Sequence, residues 1–408
     1  MAIPMRRAYD DEIAEFERIL RAAAACNDTT TVADAGRRST RQEPDRHRPP
    51  SQPRIGRVRG KDVGQQEAFG RIVMVNVGII GLGAAWESRY RPALANLSHR
   101  IRVRAVYDCV SFRAENVAAE FNATPFEGVL ALLNHREVRG VLFLDGGWHV
   151  AQSLALLCSS RKPAFVAGSM GSDAARVAHF QKRSAAEGAT IMPEFSRRYT
   201  PATSRLHELM ATQLGNPQKV VIDAVLPDTE SSEFLPGQRT TIDYLVGLFD
   251  WCRYVLRTAP VALHSKPLEG SDSATGVSRA ITVEFAKRRA GGESPIAELR
   301  LHAPQKATPP KSGAFANPLT YEITCERGRA VIGTTDAIEW EADSGKRLES
   351  LTSDRSEFEV MLDHFCRRVA GGLIPVADIV DVCDCLSLAH AAEKSLALGS
   401  RVDCSGMA

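Results

Sequence analysis

The chain has 408 residues, 44% of them hydrophobic and 25% charged, which excludes a disordered or fibrous protein and leaves ample length for a large core. Its 51 Lys and Arg against 49 Asp and Glu give a net charge of +2, so no global field points to nucleic acid or an anionic membrane. The first 73 residues hold 14 basic and 11 acidic side chains and the remainder 37 and 38, so the expected partner of the body is a small molecule.

Residues 1–73 read as a disordered basic extension. From Gly36 to Lys61 the chain is Arg, Pro, Ser and Gln with almost no large apolar residue, too little to offset the entropy of ordering. Two readings stand for it, a docking arm and a dispensable extension, and Met74 offers an alternative start. Arg6-Arg7 is followed by Asp11, Glu12, Glu15 and Glu17 where an export signal needs an apolar run. No apolar stretch approaches the ~20 residues of a membrane span. Nine scattered cysteines without metal spacing read as reduced, buried thiols. The expectation is a cytoplasmic protein.

From Val75 short apolar strands alternate with helices. Val75–Ile80, Ile101–Tyr107, Val138–Leu144, Pro163–Ala167 and Thr190–Phe195 read as strands. The intervening helices include Phe112–Phe121, Val150–Cys158 and Asp173–Glu187. This alternation predicts a doubly wound parallel sheet, a Rossmann domain over residues 74–199. Beyond Pro201 the texture changes to helices at 204–213 and 244–256, then extended segments between 261 and 332, then helices at 358–368 and 379–396. That order predicts an α+β domain over residues 200–408 with a large open, mostly antiparallel sheet.

Gly81-x-Gly83 lies directly between the first strand and its helix, and Asp108 ends the second strand 25 residues on. One glycine permits the tight turn, the next lets backbone approach a pyrophosphate, and the helix N-terminus favours negative charge. Gly81, Gly83, Ala84 and Asp108 are therefore the candidate cofactor residues. An aspartate here accepts from both ribose hydroxyls and repels a 2′-phosphate, so the expected cofactor is NAD in preference to NADP. The third small position of the fingerprint is Trp86, so either the helix shifts or the indole points outward.

Several segments in order resemble the Gfo/Idh/MocA family of NAD(P)-dependent oxidoreductases. They are Val77-Gly-Ile-Ile-Gly-Leu-Gly83, Ala105-Val-Tyr-Asp108, Met192-Pro-Glu-Phe-Ser-Arg-Arg-Tyr199, Asp250-Trp-Cys-Arg-Tyr-Val-Leu256, Gly371-Gly-Leu-Ile-Pro375 and Ala391-Ala-Glu-Lys-Ser395 with Gly399. The resemblance spans residues 74–403. It implies a Rossmann domain joined to an open-sheet domain, oxidation or reduction of a sugar-like or polyol CH–OH group in the cleft between, and a homodimer or tetramer through the second sheet.

At the catalytic positions the chain departs from the family. The slot of the Glu-Lys-Pro motif falls on Ala167-Gly168-Ser169, and Lys162 precedes the fifth strand, on the edge away from the cofactor. The pattern Asp-x-Gly-x-His-x-x-Asp falls on Asp243 to Asp250, with Gly247 where the family has histidine. Asp243 and Asp250, two turns apart on one helix face, are candidate substrate ligands or merely helix-solvating groups. His149, after the fourth strand, is the candidate replacement acid/base, and Glu194, Tyr199 and Tyr244 lie near the same cleft. Two functions follow: an oxidoreductase with an atypical proton-transfer group, or a non-catalytic relative used for nucleotide sensing or assembly.

Overall fold

The computed structural model describes residues 73–145, 150–226, 241–268, 278–288, 292–303, 319–372 and 376–406. The extension expected over 1–73 lies outside them apart from Val73, and so does His149. Residues 69–408 form one compact unit built on two sheets.

The first sheet contains β1 (Val75–Ile80), β2 (Ile101–Tyr107), β3 (Thr124–Pro125), β4 (Gly140–Phe143), β5 (Ala164–Val166) and β6 (Ile191–Pro193), in the order β3-β2-β1-β4-β5-β6. Each neighbouring pair is parallel. Its helices are α1 (Arg91–Asn96), α2 (Ser111–Phe121), α3 (Val129–Leu133), α4 (Val150–Ser160) and α5 (Ala174–Glu187). The strands read as continuous apolar runs because helices cover both faces of a parallel sheet. Val77, Ile79, Leu142, Phe165 and Met192 face one core, and Ile80, Val141, Phe143, Ala164 and Val166 the other. Local signals set the helix ends: Asp173 accepts from the N–H groups of Ala175 and Arg176 at 3.0 and 3.2 Å, and Gly188 closes α5 at φ +68°.

The second sheet has nine strands: β7 (Pro217–Val225), β8 (Pro260–Pro267), β9 (Arg279–Phe285), β10 (Ile296–His302), β11 (Leu319–Cys325), β12 (Gly328–Thr334), β13 (Ala337–Ala342), β14 (Gly345–Ser350) and β15 (Val402–Asp403). Their order is β14-β13-β12-β11-β7-β10-β9-β8-β15, antiparallel except where β10 joins β7. Its remaining helices are α6 (Pro201–Leu209), α7 (Thr241–Leu256), α8 (Glu357–Val369) and α9 (Ile379–Leu398). Leu299, Leu301, Ile222 and Ile323 pack in one core with Phe249, Trp251, Leu386 and Ala389 of α7 and α9. The alternate positions carry ion pairs, Lys219–Glu298 at 3.0 Å and Arg300–Asp223 at 3.7 Å. β13 and β14 escaped the sequence reading, and β14 shows why: it is exposed along nearly its whole length and has no apolar alternation.

α8 returns to the first sheet. Phe358, Met361, Leu362, Phe365 and Cys366 enter the core of Val77, Ile79 and Phe165, so a segment late in the chain completes the packing of the first sheet. Arg100 of that half pairs with Asp363 of α8 at 2.8 Å. No helix among the described residues is long and apolar enough to cross a membrane.

Trp86 resolves the conflict in the glycine fingerprint in a specific way. The indole points inward, 3% exposed, edge-on to Phe121 with centroids 6.0 Å apart. The backbone makes room, because Trp86–Tyr90 forms a π-helical turn before α1 begins. The helix shifts; the ring does not turn out. Trp86→Ala should therefore destabilise the protein by about 3–5 kcal/mol; a denaturant midpoint unchanged from wild type would show the indole is not a core residue.

Candidate functional site

Two sites are assembled at the carboxyl ends of the parallel strands, where open α/β sheets bind ligands. At the first, Gly81 N–H donates to the Tyr107 carbonyl at 2.7 Å, tying the glycine turn to the end of β2. Gly81 and Gly83 have φ of +71° and +36°. A Cβ at Gly81 would strike that of Asp145, and one at Gly83 the Leu144 carbonyl oxygen. Only glycine lets the turn close on the end of β4. Ala84 follows, exposed, at the entry to the π turn. This frame fits the pyrophosphate of a dinucleotide.

Asp108 is used differently from its sequence expectation in this conformation. Its side chain is 1% exposed. One oxygen accepts from Leu82 N–H and the other from Val110 N–H, both at 2.9 Å, and the Arg113 guanidinium lies 3.7 Å away. The carboxylate thus braces the glycine turn against the start of α2.

The second site is a cleft that opens to solvent at the ends of β5 and β6. Gly168 and Ser169 follow β5, Glu194 and Arg197 follow β6, and α7 presents Asp243, Gly247 and Asp250. Val382 and Leu386 of α9 form an apolar wall. Ser169 Oγ donates to Asp243 Oδ1 and accepts from Gly171 N–H at 2.9 Å. Gly168 N–H donates to Glu194 Oε2 at 2.8 Å, and Arg89 lies 3.6 Å from the other Glu194 oxygen.

Asp243 and Asp250 both line the cleft, but their surroundings differ. Asp250 is 1% exposed. Arg198 grips both its oxygens, through Nε at 3.0 Å and through Nη2, and reaches Asp381 of α9 at 3.2 Å. The guanidinium lies against the rings of Phe195 and Tyr254, 5.2 and 5.0 Å from their centroids. Burial pushes the Asp250 carboxyl up to about 6, and Arg198 opposes that shift. Arg253 extends the network to Asp384.

Gly247, which the sequence resemblance set against a histidine, borders a group from another segment. A Cβ on Gly247 would lie 2.8 Å from Nη1 of Arg197, whose guanidinium sits 5.8 Å from the Tyr244 ring centroid. The lysine position, Gly168, has φ +73°, a conformation that suits glycine. Lys162 is remote from both sites: it precedes β5 and donates to the His135 carbonyl at 2.8 Å. Tyr199 packs edge-on to His364 at 5.4 Å. Arg197 and Ser169 were not singled out from sequence. The available signal was the glycine at 247, a residue that leaves space on a helix for an incoming group.

Residues 75–144 match the family described as "Oxidoreductase family, NAD-binding Rossmann fold", the Gfo/Idh/MocA oxidoreductases. No curated protein matches the sequence. Among solved structures, the chain is similar to UDP-N-acetylglucosamine 3-dehydrogenase of Acidithiobacillus ferrooxidans, at 15% identity over 79% of this chain and 98% of that one, TM-score 0.62. A super-repressor mutant of Gal80p from Saccharomyces cerevisiae is 13% identical over 82% and 99% of the two chains, TM-score 0.65. An oxidoreductase from Agrobacterium radiobacter, in complex with NAD+, L-tartaric acid and magnesium, is 14% identical over 82% and 100%, TM-score 0.63. What is shared at such identities is the fold, and it is the two-domain fold that the sequence motifs implied.

Two substitutions test these assignments. Asp250→Ala leaves the buried Arg198 with Asp381 as its remaining ion-pair partner and should cost about 3 kcal/mol, so a loss below 1 kcal/mol would contradict a desolvated pair. Asp108→Ala strands two backbone donors and should lower stability by about 2–3 kcal/mol with no nucleotide present. Unaltered thermal unfolding would mean the carboxylate is not a brace.

Proposed function

From the premise that the chain is of the Gfo/Idh/MocA type, we propose that it binds NAD over the Gly81–Leu82–Gly83 turn and transfers hydride to or from a CH–OH group of a sugar-like or polyol substrate in the cleft. The observation that carries this reading is the Ser169–Asp243 hydrogen bond, a hydroxyl and a carboxylate paired in the cleft that Gly168 and Gly247 also line. The nicotinamide, when bound, supplies the hydride acceptor or donor. The protein must then take up or return the proton of the substrate hydroxyl. Ser169 accepts a hydrogen bond from that hydroxyl while its own hydrogen lies on Asp243. A proton taken from the substrate passes through Ser169 Oγ to the Asp243 carboxylate, leaving the serine neutral. Gly171 N–H and the Glu194–Gly168 bond hold this loop in place. The negative charge of Asp108 at the end of β2 favours NAD over NADP.

A second reading, a non-catalytic ligand-binding relative, is favoured by one observation: the Arg197 guanidinium, which cannot deprotonate, occupies the space beside Gly247. The fold it shares with a Gal80p super-repressor mutant agrees with that reading.

The test is a titration of the full chain with NADH, followed by assay of NAD+ reduction over a panel of sugars, polyols and their acids. Ser169→Ala and Asp243→Asn should each lower kcat by about 10²-fold or more with NADH affinity within about twofold of wild type. Nucleotide binding without turnover would select the second reading, and variants as active as wild type would remove the serine–aspartate assignment.

A further inference from the structure

Ser169 lies on the loop 168–172 between β5 and α5, and the two ends of that loop are held by different parts of the fold. At the far end the Ser172 carbonyl accepts from His390 Nε2 of α9 at 2.7 Å, and Asp173 caps α5. Met170, midway, is buried in the core. At the near end Gly168, in left-handed backbone, donates its N–H to Glu194 Oε2 at 2.8 Å.

Glu194 follows β6, and its own N–H is tied to the Val166 carbonyl of β5 at 2.9 Å. Its side chain is 3% exposed. A carboxylate so far from water needs compensating partners, and Gly168 N–H is one of them. Arg89 is another, 3.6 Å from Glu194 Oε1. Arg89 belongs to the π-helical turn Trp86–Tyr90, which follows the Gly81–Leu82–Gly83 turn. Its guanidinium lies 5.2 Å from the Phe358 ring centroid, and the next residue, Tyr90, is buried edge-on to Phe165 and Phe358. One buried carboxylate therefore spans from the segment behind the glycine turn to the loop that carries Ser169.

We infer that Glu194 is a positioning residue that joins the two sites. A nucleotide seated on the glycine turn steadies the π turn, Arg89 passes that restraint to Glu194, and Glu194 holds Gly168 and with it Ser169. This rests on the nucleotide site of the proposed function. The π turn is the element suited to respond, since such turns recur at functional sites. Ordering one end of a connected set lowers the entropy cost of ordering the other, and the effect is reciprocal.

The experiment is hydrogen exchange on the full chain with and without saturating NADH, read over residues 81–86, which report the nucleotide, and over 168–172, which report the loop. In the wild type NADH should slow exchange of both, the loop by about 5-fold or more. Arg89→Met keeps an apolar stem over Phe358 without the charge, and it should cut the loop response below about twofold while 81–86 is still protected. Arg89→Lys should retain part of the response. Glu194→Gln can still accept from Gly168 N–H but carries no charge for Arg89, so it should behave as Arg89→Met does. Each variant is titrated to saturation, and thermal unfolding establishes that it is folded. Protection at 81–86 with none in the wild-type loop, or a full loop response that survives either Arg89→Met or Glu194→Gln, overturns the inference and leaves the nucleotide site standing. If neither segment responds because NADH does not bind, the proposed function falls with it.

Discussion

The contact between Arg198 and Asp250 is the constraint on which the cleft depends. It joins the segment leaving β6 to the middle of α7, and through Asp381 it reaches the start of α9. Three elements of different origin are thereby held at fixed spacing beneath one pocket. The interaction is strong because water is excluded, and both charges would be expensive to bury alone. Its neighbours sharpen that dependence: Phe195 and Tyr254 sandwich the guanidinium, and Arg253–Asp384 repeats the charge pairing one turn further along α7.

With that frame in place, the chemistry of the cleft is decided by what the glycines omit. Gly168 sits in left-handed backbone and carries no ammonium, and Gly247 carries no imidazole. The volume at Gly247 is taken by Arg197, a permanent cation. Proton transfer, if the cleft performs it, falls to oxygen acids, and the nearest such pair is Ser169 with Asp243.

The glycine turn shows a similar economy. Asp108 spends its carboxylate on backbone N–H groups of the turn it was expected to stand beside. The geometry of the turn thus depends on one residue. Trp86 adds to this coupling, since the indole that replaces a small residue is accommodated by a π turn and becomes part of the core. Replacing either residue alters the shape of the glycine turn.

Sequence alone determined the parallel sheet, its glycine turn and the second mostly antiparallel sheet. These are encoded in local apolar runs, in punctuation by Gly81 and Gly83, and in residue identities within short motifs. Tertiary structure decided the rest, because each remaining feature depends on residues far apart in the chain. Asp108 turns inward because Leu82 N–H, 26 residues earlier, is within reach. α8 completes the first core although it follows the second sheet, and β14 is a strand only because β13 pairs with it. Arg197 occupies the space at Gly247, fifty residues on, because the Arg198–Asp250 pair draws that segment against α7. A local pattern can report a missing side chain; which distant group fills the space is set by packing.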